Sequence, residues 1–304
     1  MIKNLVQLAR PDNPVFVRAR QGKRQPHVIT ATLVLFGVLI VAFVSFALVG
    51  EFTLGDGDLI FDIWGGMAFL VAPFLVMVLL IFLWVRFREK RPVASIGFSR
   101  TSSLKAYVRG LGVGALMIAV AVGFMAVSGS VEIENPGAAI FDITALGSVA
   151  ILLAGFIIQG GTEEILIRGW YFQVIGARHK PWLGLLISTV VFTASHGSGS
   201  VLANLNLALF SLFLSFYFLY EGNLWGVMGF HSAWNWAMGN LFGLDVSGHG
   251  DYGRSLLNLK AVGSDILSGG TYGPEASILC TIPLIIGLIV LAMLAGKRKS
   301  QDMA

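Results

Sequence analysis

Apolar residues run along this chain in long blocks, separated by short segments that hold most of the charge. The blocks at 28–50, 63–85, 106–128 and 146–176 reach the roughly 20 residues that a helix rising about 1.5 Å per residue needs to cross about 30 Å of hydrocarbon. Less uniform blocks follow at 182–196, 201–220 and 224–242, with a last one at 276–296. The pattern predicts an all-α, polytopic membrane protein with about eight transmembrane helices.

Charge gives these spans a direction, because Lys and Arg concentrate in short cytoplasmic segments. With the N-terminus inside, Lys3, Arg10, Arg18, Arg20, Lys23 and Arg24 share that side with the segment 86–105, with Arg178 and Lys180, and with Lys297, Arg298 and Lys299. The opposite side holds only Arg254 and Lys260, together with Glu51, Asp56, Asp58, Glu132, Glu134 and Asp142. Both termini are therefore expected in the cytoplasm.

Composition agrees. The 304 residues are 56% hydrophobic and 12% charged, with a mean hydropathy of +0.78 and a pI of 9.3, which argues against a soluble globular class. Positive charge in juxtamembrane loops faces anionic lipid headgroups, so the basic balance calls for no nucleic acid partner. The first block is too long for the apolar part of a signal peptide and is expected to remain as an anchor. Cys280 is the single cysteine and lies in the last block, which leaves no intrachain disulfide and no multi-cysteine zinc site. The C-terminal Gln-Asp-Met-Ala offers no cysteine for prenylation.

The chain divides by where its polar residues fall. A basic segment at 1–27 precedes apolar helices at 28–140, then a core at 145–242 that carries nearly all the intramembrane Glu, His, Asn and Arg. An extracytoplasmic loop at 243–275 and a last helix with its tail at 276–304 complete the chain, and no internal repeat is present. The run "DVSGHGDYG" matches neither an EF-hand nor a zinc spacing, and the glycine-rich polar stretch around it reads as a solvated, flexible loop.

An ionisable side chain at the centre of a bilayer costs at least about 2.5 to 3.5 kcal/mol, which makes each one in the core a candidate for function. Glu163, Glu164 and Arg168 form one group, with Gln159 a turn earlier; His196 closes "FTASH"; His231 and Asn235 lie in "HSAWNW". Residues four apart share a helix face and adjacent ones diverge by about 100°, so Glu164 can pair with Arg168 while Glu163 points elsewhere. Taken alone, this group has an alternative reading as a packing salt bridge, and a single intramembrane histidine is more often an interhelical hydrogen bonder than a catalyst. Together they converge in depth. With the fourth helix running to Gly176, the fifth starting at Pro181 and the seventh near Asn223, Glu163, His196 and Asn235 lie roughly 18 to 22 Å from the same membrane face.

A carboxylate with two imidazoles can activate water, directly as a general base or through a bound divalent metal. An Asn amide can donate to a developing oxyanion. The implied reaction is hydrolysis of an acyl bond, without a G-x-S-x-G nucleophile or an H-E-x-x-H helix. Two other classes stay open: a proton-coupled secondary transporter, which often shows two related halves, and a catalytically silent, partner-binding protein of the same fold.

Three motifs in this order resemble those of the CPBP family, the CAAX-protease and bacteriocin-processing intramembrane proteases also called the Abi family. Glu163, Glu164 and Arg168 match E-E-x-x-x-R, Phe192 and His196 match F-x-x-x-H, and His231 with Asn235 matches the third motif. The resemblance implies a helical core with a cavity open to the cytosol. It implies that Glu163 and His196 activate water, that His231 and Asn235 stabilise an oxyanion, and that Glu164 and Arg168 support the geometry. The resemblance does not carry the substrate; the expected class is a membrane-associated or lipidated peptide or protein. Family members have been described both as metalloproteases and as glutamate proteases, and Glu163, His196 and His231 are the set that would ligate zinc. The reading preferred here needs no cofactor, because Asn235 one turn from His231 gives that histidine an oxyanion role without a metal. High Gly and Ala content and the lack of organelle signals point to a bacterial inner membrane.

Overall fold

In a computed structural model, residues 2–53, 59–98, 103–134, 143–250 and 255–302 are described. Asp56, Asp58, Asp142 and Arg254 of the charge pattern lie outside them. Two short helices, α1 (Ile2–Leu8) and α2 (Pro14–Ala19), lead into α3 (Val28–Thr53) and α4 (Leu59–Leu83), which ends in a π-helical turn, Trp84–Arg88. Then come α5 (Ser103–Val127), strand β1 (Val131–Ile133) and α6 (Ile143–Glu164). A π-helical stretch, Ile165–Phe172, joins α6 without a break to α7 (Gln173–Arg178). The chain continues as α8 (Pro181–Ser195), α9 (Val201–Glu221) and α10 (Trp225–Trp236), the last prolonged by the π turn Ala237–Leu241. Strand β2 (Leu259–Ala261), α11 (Asp265–Ser268) and α12 (Ile278–Asp302) complete it.

This is an all-α, multi-pass membrane protein. Among the described residues, six helical stretches are long and apolar enough to cross a membrane: Val28–Gly50, Trp64–Arg88, Ser103–Val127, Leu146–Arg178, Val201–Glu221 and Ile278–Arg298. The remaining two of the eight apolar blocks form shorter helices, α8 and α10. Local conformation sets how each ends. After α8, Gly197 takes φ 58°, a left-handed conformation that glycine adopts without penalty, and α10 passes into its π turn.

α10 is buried along nearly its whole length and packs mainly against α5 and α6. Small residues allow this. A Cβ at Gly114 of α5 would meet the Phe230 carbonyl oxygen at 2.2 Å, and one at Gly160 of α6 would meet the Ser232 amide nitrogen at 2.8 Å. In lipid, where apolar side chains gain little by association, such close backbone approach is a main source of helix packing.

The described residues of the segment 243–275, which exclude the end of "DVSGHGDYG", make specific contacts with the helices. β2 pairs antiparallel with β1, Glu132 opposite Lys260, and the amides of Leu256, Leu257 and Leu259 donate to carbonyls of Asn240, Leu241 and Phe242. Glu275 is buried, accepting from Trp234 Nε1 at 3.0 Å and from Ser247 Oγ at 2.6 Å. Lying against the helix ends, the segment must satisfy its backbone groups internally rather than from water, and it is fastened to α10 by those bonds.

A departure lies in the segment after α4, whose positive charge is expected to face lipid headgroups. Glu89 and Arg91 are each 1% exposed. Glu89 accepts from Trp84 Nε1 at 3.0 Å, from Trp170 Nε1 at 2.6 Å and from Arg91 Nε at 2.7 Å. Arg91 also donates to Gln173 Oε1 at 2.8 Å. Burial pushes the Arg91 guanidinium below its ordinary pKa, and Glu89 beside it pulls it back up. This network holds the C-terminal end of the π-helical stretch that follows Glu164, through Trp170 and Gln173.

Candidate active site

α6 supplies the two carboxylates, on different faces as the helical period requires. Glu164 is fully buried, and its Oε1 accepts from Arg168 at 2.8 Å and meets His231 Nδ1 at 2.7 Å. Glu163 keeps 21% of its side chain exposed and places Oε2 3.7 Å from His231 Nε2. One histidine thus stands between both carboxylates, one at each nitrogen. A carboxylate oxygen accepts, so His231 Nδ1 carries a proton toward Glu164 and Nε2 is directed to Glu163.

The other oxygen of Glu163 is held from below. Gln159 Nε2 donates to Glu163 Oε1 at 2.6 Å, and Asn235 Nδ2 donates to Gln159 Oε1 at 3.0 Å. Asn235 therefore reaches Glu163 through Gln159. The two carboxylates, His231, Asn235, Gln159 and Arg168 form one connected cluster across α6 and α10, at the level where Gly160 lets the backbones approach.

His196 caps the end of α8. Its Nδ1 lies 2.8 Å from the Phe192 carbonyl, which only accepts, so the proton sits on Nδ1 and Nε2 is left with its lone pair. Among the described residues it makes no hydrogen bond or ion pair with Glu163. The ring of Phe192 links it to the rest: 4.4 Å from the His196 ring and 6.3 Å from the His231 ring, centroid to centroid, and stacked on Phe210 at 6.0 Å. The Arg168 guanidinium lies over its face at 4.4 Å.

Gln159 and Tyr272, two residues that bear on Glu163, escape a reading by motif. Gln159 is an amide four residues before Glu163, and its spacing does place it on that face. Tyr272 comes from the segment between α11 and α12. Its hydroxyl is buried, and the Ser247 hydroxyl near it donates to Glu275. Burial raises the pKa of its phenol, with the charges of Glu275 and Glu163 adding. No local signal in the glycine-rich sequence marks it.

Among the described residues, no three His, Cys, Asp or Glu side chains are placed as a group that could hold a metal ion. Glu163, His196 and His231, the set that would ligate zinc, are brought to one neighbourhood but not into a ligand geometry. What the cluster can do by itself is accept a proton on a carboxylate, hold a water beside it and donate hydrogen bonds to an oxygen.

Comparison with curated proteins and with solved structures gave no match. Residues 145–237, the part of the chain that contributes both carboxylates, both histidines, Arg168 and Asn235, match the family model described as "Type II CAAX prenyl endopeptidase Rce1-like", a similarity consistent with the CPBP resemblance.

Proposed function

We propose that this protein is a membrane-embedded endopeptidase that hydrolyses a peptide bond of a membrane-associated or lipidated substrate, with Glu163 as the general base. The observation that carries the reading is the His231 bridge. Glu164 and Arg168 cancel each other's charge in a fully buried pair, so Glu163 is the charge left over. His231, in contact with both carboxylates, is the group able to balance it by holding a second proton on Nε2.

Glu163, the more exposed carboxylate, takes a proton from a water as the water oxygen attacks the scissile carbonyl carbon. The carbonyl π pair moves to oxygen, and the oxyanion accepts a hydrogen bond from His231 Nε2–H. The lone pair on His196 Nε2 orients the attacking water. Collapse of the tetrahedral intermediate breaks the C–N bond, and the proton held by Glu163 passes to the leaving amine. Asn235 and Gln159 fix the Glu163 carboxylate; Glu164 fixes the tautomer and angle of His231, as a second carboxylate does for a catalytic imidazole. No step requires a metal.

The reading places the protein in a bacterial inner membrane with both termini in the cytoplasm. The test is cleavage of candidate lipidated and transmembrane peptides by purified protein. Glu163→Gln keeps shape and hydrogen bonding but removes the base, and is expected to leave a folded protein with turnover reduced by about a hundredfold or more. Wild-type turnover in that variant would remove Glu163 from the role.

A further inference from the structure

A cavity of about 640 Å³ opens far from the carboxylates, between the start of α5 and the ends of α9 and α12. It lies at the end of the bundle that holds α1, whose Asn4 donates to the Ala292 carbonyl of α12. Four cations line it, Lys105 and Arg109 from α5 and Lys297 and Arg298 from α12, around a single carboxylate, Glu221.

The two arginines are fixed and the two lysines are not. Arg109 pairs with Glu221, whose side chain is only 4% exposed while that of Arg109 is 51% exposed. Arg298 donates to the Tyr220 carbonyl at 2.9 Å and lies over the Tyr220 ring at 5.8 Å. Lys105 and Lys297 are exposed and have no ion-pair partner among the described residues. One carboxylate cannot neutralise four cations, so the cavity presents surplus positive charge on a partly rigid frame.

An apolar track leads away from it. Ile286, Val290 and Leu294 stand one turn apart on α12, 50%, 47% and 41% exposed, on the face that ends in Lys297 and Arg298. Leu294 itself lines the cavity. Positive charge at helix ends is general to membrane proteins; a cavity with anchored arginines at the foot of an uncovered apolar track is not.

We infer that this cavity binds an anionic phospholipid, its phosphate held by Lys105, Lys297 and the arginines and its acyl chains laid along Ile286, Val290 and Leu294. Guanidinium and ammonium groups converging between helices are suited to a phosphate headgroup. The track accounts for a lipid rather than a soluble anion, which would use the charge alone. The inference does not depend on the hydrolytic reading.

The test is lipid binding to purified full-length protein, read by native mass spectrometry as phosphatidylglycerol or phosphatidylcholine is titrated in. Wild type is expected to bind phosphatidylglycerol at least about tenfold more tightly than phosphatidylcholine, and the double variant Lys105→Gln, Lys297→Gln to lose that preference. Both lysines are exposed, so an unchanged melting temperature without added lipid would show that the fold is intact. Lys180→Gln, which removes one exposed charge at the same end of the bundle, should bind as wild type does. Equal binding of the two lipids by wild type, an undiminished preference in the double variant, or displacement of the lipid by millimolar inorganic phosphate would each overturn the proposal.

Discussion

The guanidinium of Arg168 lies 4.4 Å over the Phe192 ring, so the arginine of one motif rests on the aromatic residue of the next. Arg168 Nε and one terminal nitrogen find no hydrogen-bond partner among the described residues, and the ring face is what these buried edges have in its place. Desolvated cation–π contacts are worth about 2 kcal/mol. Phe192→Leu keeps most of the apolar volume while removing the ring from Arg168, His196 and His231. It is expected to destabilise the protein by about 2 kcal/mol and to lower kcat more than it raises KM. Thermal unfolding with steady-state kinetics checks it; a variant matching wild type in both would show that the ring only fills space.

Glu164 carries two bonds on one oxygen, to Arg168 and to His231. Glu164→Gln leaves Arg168 as an uncompensated buried charge, at an expected cost of about 3 to 5 kcal/mol. Removing both partners should cost less than the sum of the single changes. Measured unfolding free energies of Glu164→Gln, Arg168→Gln and the pair decide it, since simple additivity would mean that the two do not stabilise each other.

Much of this was legible in the sequence. The eight apolar blocks became eight helices because apolar runs of that length have few alternatives in lipid, where the backbone must satisfy its own hydrogen bonds. The Glu164 and Arg168 pair followed from helical spacing alone. Other relationships arise only from packing. The bond from Glu164 to His231 joins residues 67 apart in sequence, and no spacing rule foretells which carboxylate takes the imidazole. Glu89 and Arg91 sit in a stretch whose charges are expected at the membrane surface, yet the indoles of nearby Trp84 and distant Trp170, with Gln173, bury them. Asn235 is one turn from His231, as its spacing requires, but its amide is spent on Gln159, a residue whose part depends on α6 meeting α10.

Hydrolysis by Glu163 and the two histidines alone carries an expectation about metals. Purified enzyme dialysed against EDTA should retain its turnover within about twofold, because base strength and hydrogen bonding at Glu163 do not change on chelation. Elemental analysis run alongside should show no correlation between bound zinc and rate across preparations. Loss of activity in chelator, with recovery on adding zinc, would instead make Glu163, His196 and His231 ligands that close around the ion.

Two adjacent glycines, Gly160 and Gly161, separate what packing demands from what the helix prefers. In an exposed or roomy helical site, replacing Gly with Ala favours folding by about 1 kcal/mol. A Cβ on Gly161 meets only the terminal methyl of Met228, at 3.0 Å, and that flexible end can move aside. A Cβ on Gly160 meets backbone, the Ser232 nitrogen at 2.8 Å and the His231 carbonyl carbon at 3.0 Å. α10 would have to retreat, taking His231 away from both carboxylates. Gly161→Ala is therefore expected to be as stable as wild type or more so, with normal turnover. Gly160→Ala should lose about 1 to 3 kcal/mol, and its turnover should fall by about tenfold or more, because a displacement near 1 Å at a catalytic group can cost a hundredfold. Melting temperatures and cleavage rates of the two variants, measured side by side, test this: equal behaviour would mean that the contact between α6 and α10 does not set the position of the site.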